Sequence, residues 1–293
     1  MSEKNYNRFK LVYTIKVVAE TWKQGIGMSK REVQQSNQGY SPYVHSYSTF
    51  NRYMGIVKEF VSDMKNQGKK RVEDIKYEDV KQWLEAKAFK FTEKTLKINM
   101  SALNKYFDTV NRQDISQALR KDYSAIYSKA RASSEVLAFS NPERVVNSMR
   151  GEQFQAIAKL QLYTGARLGD VKKISVDVAK NQVIIEKSKG GKTRTVSIDA
   201  NKMNEVVKAH EIIKNLSPQE WKQLRQEYPA EVHRICVKLG ERYTGTHAFR
   251  ASWAIREYQR LIGEGKTEAE ALKIVSQELG HERISMSVYY LKK

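Results

Sequence analysis

The segment Thr164-Gly165-Ala166-Arg167-Leu168-Gly169-Asp170 lies where the periodicity of the sequence changes. Before it, apolar residues recur on one face of a predicted helix: Phe154, Ile157, Ala158 and Leu162. After it, Ile174, Val176 and Val178 alternate with polar residues, as they do in a half-buried strand. The segment is therefore predicted to end a helix and to lead into a small sheet.

The rest of this C-terminal part contains more strand and helix signals. The apolar run Val183-Ile184-Ile185 and the alternating Thr195-Val196-Ser197-Ile198 complete a small antiparallel meander, with Gly190-Gly191 as its two-residue turn. The helix starts are a capped proline motif at Ser217-Pro218-Gln219-Glu220, an N-cap at Thr246 and a capping box at Thr267-Glu268-Ala269-Glu270. We expect a mainly α fold with a small antiparallel β-sheet.

The N-terminal part is helical in pattern. Leu11, Ile15, Val18 and Trp22 predict a first helix, and the polar residues 24–48 after it are interpreted as a mobile connector. Further apolar stripes, with Tyr53 to Met64 as the clearest, predict a small helical bundle. The predicted organisation is a helix and connector at 1–39, a helical domain at 40–115, a linker region at 116–141 that is in part compatible with helix, and a second domain at 142–293.

The composition favours a polyanionic partner. Fifty-two Lys and Arg residues against thirty-three Asp and Glu leave a formal net charge of +19, which is typical of nucleic-acid binders. No long apolar segment and no secretory signal are evident, so we expect no membrane association and a cytoplasmic protein. Cys236 is the single cysteine, and His233 with Cys236 offers too few ligands for a structural zinc site, so no metal and no cofactor are expected.

Several polar residues of the second domain are candidates for chemistry, although each has an ordinary structural explanation. Arg167 fits a cation at the end of a helix, and His247 fits a surface residue in the first turn of a helix. Tyr290, in a chain with sixteen tyrosines, fits an ordinary packing residue. The hairpin charges Lys187, Lys189, Lys192 and Arg194 fit a solvated turn. The order of the whole set, Arg, hairpin Lys, His-x-x-Arg, Leu-Gly-His and then Tyr, is far less ordinary.

In this order and spacing the sequence resembles the tyrosine recombinases, the family of phage-type integrases and Xer-type resolvases. The resemblance spans about Glu152 to the C-terminus, and the helical part before it is compatible with the family's core-binding domain. It identifies the catalytic set as Arg167, Lys189, His247, Arg250, His281 and the nucleophile Tyr290, with Asp170 in support and Lys192 as the alternative to Lys189. Tyr290 follows His281 by nine residues, the spacing typical of the family.

The residue types suit strand cleavage. Arginine forks bind the non-bridging oxygens of a crowded phosphorane-like state, which suits Arg167 and Arg250. A tyrosine must lose its proton during attack, for which His247 is the candidate acceptor, while Lys189 would protonate the leaving 5′ oxygen and His281 would donate to the phosphate. The resemblance implies two domains clamped around double-stranded recombination sites, a tetrameric homo-oligomeric synapse and accessory directionality or architectural proteins.

Two departures from the family pattern leave alternatives open. The stretch between Arg250 and His281 is longer than in compact members, and the sequence stops three residues after Tyr290, where many relatives continue into a helix that docks on a neighbouring protomer. Either assembly uses other contacts or the sequence is truncated, and we expect the segment around Tyr290 to be mobile without DNA. A type IB topoisomerase-like enzyme and a catalytically inactive DNA-binding regulator remain as alternatives.

Overall fold

The computed structural model describes residues 10–131, 138–188, 191–280, 288, 290 and 291, with only the backbone of residue 123. The chain divides into two compact units, Met1–Ser133 and Ser134–Lys293. Helices dominate both units, and a single small antiparallel sheet is found in the described part of the second. The predicted fold class, mainly α with a small antiparallel sheet, is confirmed.

The first unit is built from helices alone in its described residues. The helices are α1 (Leu11–Lys23), α2 (Lys30–Ser36), α3 (Tyr47–Asn66), α4 (Tyr77–Ala88), α5 (Glu93–Thr109), α6 (Gln113–Lys121) and α7 (Tyr123–Tyr127), with a 3-10 turn at Val72–Asp74. The two longest begin at side-chain caps: Ser46 accepts from the Thr49 N–H, and Thr92 accepts from the Thr95 N–H. Their apolar faces meet in one core.

Aromatic side chains fill this first core. The Phe60 ring packs edge-on against Trp83 at 5.3 Å and against Phe107 at 5.8 Å between ring centroids. Trp22 of α1 is fully buried in the same core, and its indole N–H donates to the Thr109 hydroxyl at 3.0 Å. The first helix is therefore part of the helical unit, whereas the sequence interpretation set residues 1–39 apart from it.

Two predicted connectors contain ordered helices. Within residues 24–48, interpreted as a mobile connector, α2 is capped by Ser29, and the buried Val44 donates its N–H to the Trp22 carbonyl at 3.2 Å. Within 116–141, interpreted as a linker, Leu119 and Ile126 are fully buried in the first core. Both segments have few apolar residues among many polar ones, so tertiary burial rather than local periodicity orders them.

The second unit combines a three-stranded sheet with helices. In chain order its described elements are α8 (Pro142–Asn147), α9 (Glu152–Thr164), a 3-10 segment (Leu168–Lys173), β1 (Ile174–Asp177), β2 (Gln182–Ile185), β3 (Arg194–Ser197), α10 (Ala200–Lys214), α11 (Pro218–Leu239), α12 (His247–Gly263) and α13 (Glu268–Glu278). The strands follow the order β1-β2-β3, both pairs antiparallel. Val183 lies opposite Val196, and both are fully buried, as the predicted meander requires.

The connection between β2 and β3 is longer than predicted. Strand β2 ends at Ile185 and β3 begins at Arg194, so the predicted two-residue turn at Gly190-Gly191 is wrong. Ser188 closes part of the connection: its N–H donates to the Lys192 carbonyl, and its carbonyl accepts from the Gly191 N–H, each at 2.8 Å. Residues 189 and 190 lie outside the described residues.

Two of the three predicted helix starts have the side-chain cap that the sequence indicates. Ser217 and Glu220 form a reciprocal capping box at α11, as do Thr267 and Glu270 at α13. At α12, Thr246 is the N-cap residue as predicted, but it has helical φ and ψ of −65° and −15° and its side chain makes no capping hydrogen bond. None of the helices in the described residues combines the length and the apolar character that a membrane span needs.

Candidate active site

The end of α9 brings Arg167 and Asp170 together. Gly165 ends the helix in the left-handed region, with φ of 62°, and the chain turns into the 3-10 segment, where the Asp170 N–H donates to the Arg167 carbonyl at 2.8 Å. A Cβ on Gly165 would lie 2.8 Å from the Trp253 ring. Glycine is needed here both for its φ and for the close approach of α12.

A serine connects the charged groups of this region. The Ser188 hydroxyl donates to Asp170 Oδ2 at 2.6 Å and accepts from Arg167 Nη1 at 3.2 Å and from Arg194 Nη1 at 2.8 Å. Asp170, Ser188 and Arg194 are buried, while the Arg167 side chain stays 22% exposed. Arg167 is therefore the guanidinium of this network that solvent, and hence a ligand, can reach.

Arg194 and Ser188 were not among the predicted site residues, and Arg194 was interpreted as a solvated hairpin charge. The first and third residues of β3 are buried and the second and fourth are exposed, so Arg194 shares its inward face with the fully buried Val196. Burial, partly offset by Asp170, lowers the pKa of Arg194 to about 10. The alternation that identified Val196 and Ile198 as core residues was the available signal, since it also placed Arg194 on the inner face.

Arg250 lies at the centre of the site. It is fully buried on α12 and donates to the carbonyls of Gly165 and, at 2.5 Å, of Leu279. Burial lowers its pKa to about 9; the nearby Arg167 lowers it further, while the charge of Tyr290 and a side-chain hydrogen bond with Tyr290 raise it. Arg250 thus stays protonated at neutral pH and interacts with the Tyr290 side chain.

Tyr290 is half-buried, and its ring packs against the core of the second unit. It is neither fully buried nor remote from the arginines. The expected mobility of its segment without DNA stays a prediction.

The other predicted residues are distributed differently. His247 is the exposed first residue of α12, three positions before Arg250, and Lys192 is exposed in the β2–β3 connection. Lys189 and His281 lie outside the described residues. The structure therefore brings together Arg167, Asp170, Arg250 and Tyr290 from the predicted set.

The charges of the site are unbalanced in favour of cations. Arg167 and Arg194 both lower the pKa of Arg250, and Asp170 lies 3.6 Å from Arg167 and 3.7 Å from Arg194. Three guanidinium groups with one carboxylate among them form a site suited to an anion with several oxygens, such as a phosphodiester.

The His233 and Cys236 pair is placed for packing. His233 stacks edge-on with Tyr243 at 4.9 Å between ring centroids, and Cys236 is fully buried in the second core. Among the described residues, no group of three or more His, Cys, Asp or Glu side chains is arranged to hold a metal ion.

Comparison with known proteins bears on both units. Residues 42–114 match the family model of the phage integrase N-terminal SAM-like domain. No curated protein has significant sequence similarity to the chain.

Three solved structures share the fold. The XerH site-specific recombinase bound to palindromic difH substrate, in a post-cleavage complex, is 18% identical with a TM-score of 0.61, covering 96% of this chain and 91% of that one. A lambda integrase tetramer bound to a Holliday junction is 17% identical, TM-score 0.59, covering 97% and 80%. A lambda integrase dimer bound to a COC′ core site is 17% identical, TM-score 0.58, covering 90% and 75%.

The family model thus covers only the SAM-like domain, whereas the structural similarity extends over nearly the whole chain. The resemblance that the motifs suggested is thus confirmed at the level of the fold: the chain has the fold of these integrases and site-specific recombinases, and residues 42–114 match the phage integrase N-terminal SAM-like domain.

Proposed function

We propose that this protein is a site-specific DNA recombinase that cleaves and rejoins DNA through a covalent 3′-phosphotyrosine intermediate, with Tyr290 as the nucleophile. The observation that carries the proposal is the interaction of Tyr290 with the buried, protonated Arg250, whose guanidinium group lies near that of Arg167. A tyrosine next to one guanidinium group, with a second guanidinium close to the first, is suited to attack a phosphodiester whose charge those groups neutralise.

The proposed step exchanges one phosphoester bond for another. The Tyr290 oxygen forms a bond to phosphorus as the bond from phosphorus to the 5′ oxygen breaks. His247 accepts the phenolic proton, Lys189 gives a proton to the leaving oxygen, and His281 donates a hydrogen bond to the phosphate. Attack by a 5′-hydroxyl reverses the sequence, and because the intermediate is itself a phosphodiester, rejoining needs no nucleotide hydrolysis.

Arg250 is held for its role by the protein backbone. The carbonyls of Gly165 and Leu279 accept from its two terminal nitrogens, so the guanidinium plane is fixed before DNA arrives. A donor that is already oriented stabilises the transition state without reorganising at the moment of reaction. Arg167, partly exposed beside it, supplies the second fork.

Double-stranded DNA is the proposed partner. The net charge of +19 supplies salt-dependent affinity for the phosphate backbone. The similar solved structures include recombinases on DNA as a dimer and as a tetramer at a Holliday junction. We extend this to a homotetrameric synapse here, with residues 142–293 as the catalytic domain and the cytoplasm as its location.

The decisive experiment traps the covalent intermediate. A binding site is first selected with the full-length protein from a random duplex library, and nicked suicide duplexes of that sequence are then incubated with the protein. We expect a DNA adduct on the peptide that contains Tyr290. Tyr290→Phe should bind the site with unchanged affinity and form no adduct, whereas the neighbouring Tyr289→Phe should still form it.

Three outcomes would overturn the proposal. An adduct on another tyrosine would reassign the nucleophile. Tight binding without any adduct would favour the inactive regulator. Relaxation of a supercoiled plasmid that lacks the selected site, at the rate seen on a plasmid that contains it, would favour the topoisomerase.

The general acid is tested by changing the leaving group. In a substrate with sulfur in place of the 5′ oxygen, the leaving thiolate needs no proton, because thiols have a pKa of about 8.5. Lys189→Ala should cleave the oxygen substrate slowly and the sulfur substrate at close to the wild-type rate. Lys192→Ala is the matched control, and a sulfur rescue confined to that variant would move the role to Lys192.

A further inference from the structure

The Ser188 hydroxyl uses its full hydrogen-bonding capacity inside the candidate site. It donates to Asp170 and accepts from Arg167 and from Arg194, at 2.6, 3.2 and 2.8 Å respectively. A hydroxyl has one proton to donate and two lone pairs to accept with, so no capacity remains. The side chain is buried, at 4% exposure. A serine so placed has a single orientation available to it.

The serine provides a link that the charged groups do not make directly. Asp170 Oδ2 lies 3.6 Å from Arg167 Nη1 and 3.7 Å from Arg194 Nη2, both beyond the usual range of a hydrogen bond. The hydrogen-bonded path from the carboxylate to either guanidinium runs through Ser188. Coulomb attraction alone is weakly directional, so the hydroxyl sets the geometry.

Ser188 also ties the β2–β3 connection to Arg167. Its backbone closes the turn through hydrogen bonds with Lys192 and Gly191. Its side-chain hydroxyl accepts from Arg194, the first residue of β3, so the connection is tied at Ser188 to the strand that follows it. Ser188 directly precedes the proposed general acid, Lys189, in the sequence.

We propose that Ser188 is a positioning residue for the DNA cleavage step, one that orients Arg167 through its hydroxyl while Arg194 holds the same hydroxyl from the far end of the connection. The inference rests on the proposed function. Ser188 touches no reacting atom in this scheme. Its loss should therefore slow cleavage of bound DNA and leave DNA affinity unchanged.

The test measures the rate of Tyr290 adduct formation at saturating suicide duplex, together with the Kd of the same duplex. Ser188→Ala should slow adduct formation by about 10- to 100-fold, since a misplacement of about 1 Å costs rates of that order. Its Kd should stay within about twofold of wild type. Ser188→Thr keeps the hydroxyl and should recover most of the rate, and Ser175→Ala on β1 is the matched control.

A double-mutant cycle separates positioning from a general structural effect. If Ser188 acts through Arg167, Ser188→Ala should slow adduct formation by less than about threefold in an Arg167→Lys background. Should Ser188→Ala fail to fold, Ser188→Cys decides, because it nearly keeps the volume and hydrogen-bonds weakly. A wild-type rate in either variant, or an undiminished loss in the Arg167→Lys background, overturns the inference alone. Absence of any adduct with the wild-type protein overturns the proposed function itself.

Discussion

The guanidinium group of Arg250 interacts with the Tyr290 side chain, although the two residues are forty positions apart in the sequence. The same guanidinium donates to the carbonyl of Gly165, which ends α9, and to that of Leu279, which follows α13. One buried side chain thus connects three elements of the second unit with the proposed nucleophile.

Replacing Arg250 should impair chemistry more than DNA binding. Arg250→Lys keeps the charge and loses the planar fork, so we expect the rate of adduct formation to fall by roughly 10²- to 10³-fold, the usual cost of one oxyanion donor. Rapid-quench gels with the selected suicide duplex measure the rate. Arg256→Lys on the same helix is the control, because that guanidinium is half-exposed and donates to the Leu162 carbonyl. A wild-type rate of adduct formation in Arg250→Lys would show that Arg250 has no role in the cleavage step.

Gly165 should tolerate alanine less well than another left-handed glycine. Gly240 ends α11 with φ of 71° and has open space around it, so Gly240→Ala should lower the free energy of unfolding by about 1 kcal/mol through backbone strain. Gly165→Ala adds a clash with the Trp253 ring, which should cost a further 1 to 3 kcal/mol or so. Urea denaturation followed by circular dichroism compares them. Equal losses would mean that α12 shifts to accept the methyl group.

Glu278 should give the second unit a pH-dependent stability. Burial, reinforced by the nearby Glu257, raises its pKa from 4.5 to about 7, while the Ser197 N–H and Arg260 oppose the shift. The folded state then binds the proton more tightly than the unfolded state, so this contribution is fully present below pH 4.5 and is lost as pH rises to 7.

The measurement is the difference in unfolding free energy between Glu278→Gln and wild type across pH 4 to 8. We expect Glu278→Gln to gain roughly 3 kcal/mol relative to wild type over this range, from about 1.4 kcal/mol per pKa unit. Glu264→Gln, an exposed carboxylate paired with Arg260, is the control. If the difference in unfolding free energy between Glu278→Gln and wild type did not change with pH, Glu278 would not be the group that takes up the proton.

Helix α1 should contribute directly to the stability of the first unit. Trp22→Ala removes a fully buried indole and its hydrogen bond to Thr109, so we expect a loss of about 3 to 5 kcal/mol. Val12→Ala in the same helix changes a side chain that is 54% exposed and should cost under about 0.5 kcal/mol. Calorimetry of both variants resolves the transition of this unit. Similar melting profiles for the two would show that α1 is dispensable to the core.

Much of the second unit could be predicted because its signals are local. The change of period after Asp170 predicted the meander, and the capping boxes at Ser217 and Thr267 predicted helix starts that the structure has. Thr246 takes the predicted N-cap position without the expected hydrogen bond, because its backbone is already helical there. Gly190-Gly191 failed as a tight turn because a glycine pair indicates a turn and does not fix the length of the connection.

The sequence by itself determined the order and the spacing of the proposed catalytic residues, from Arg167 to Tyr290, because those are properties of the chain. It also determined the helical and strand periods that set the fold class. Only the tertiary structure decided that Arg194 is a buried cation, that Ser188 joins it to Arg167 and Asp170, and that α1 belongs to the first core. Contacts between residues distant in sequence depend on which faces pack together, and burial turns an ordinary hairpin charge into part of a site.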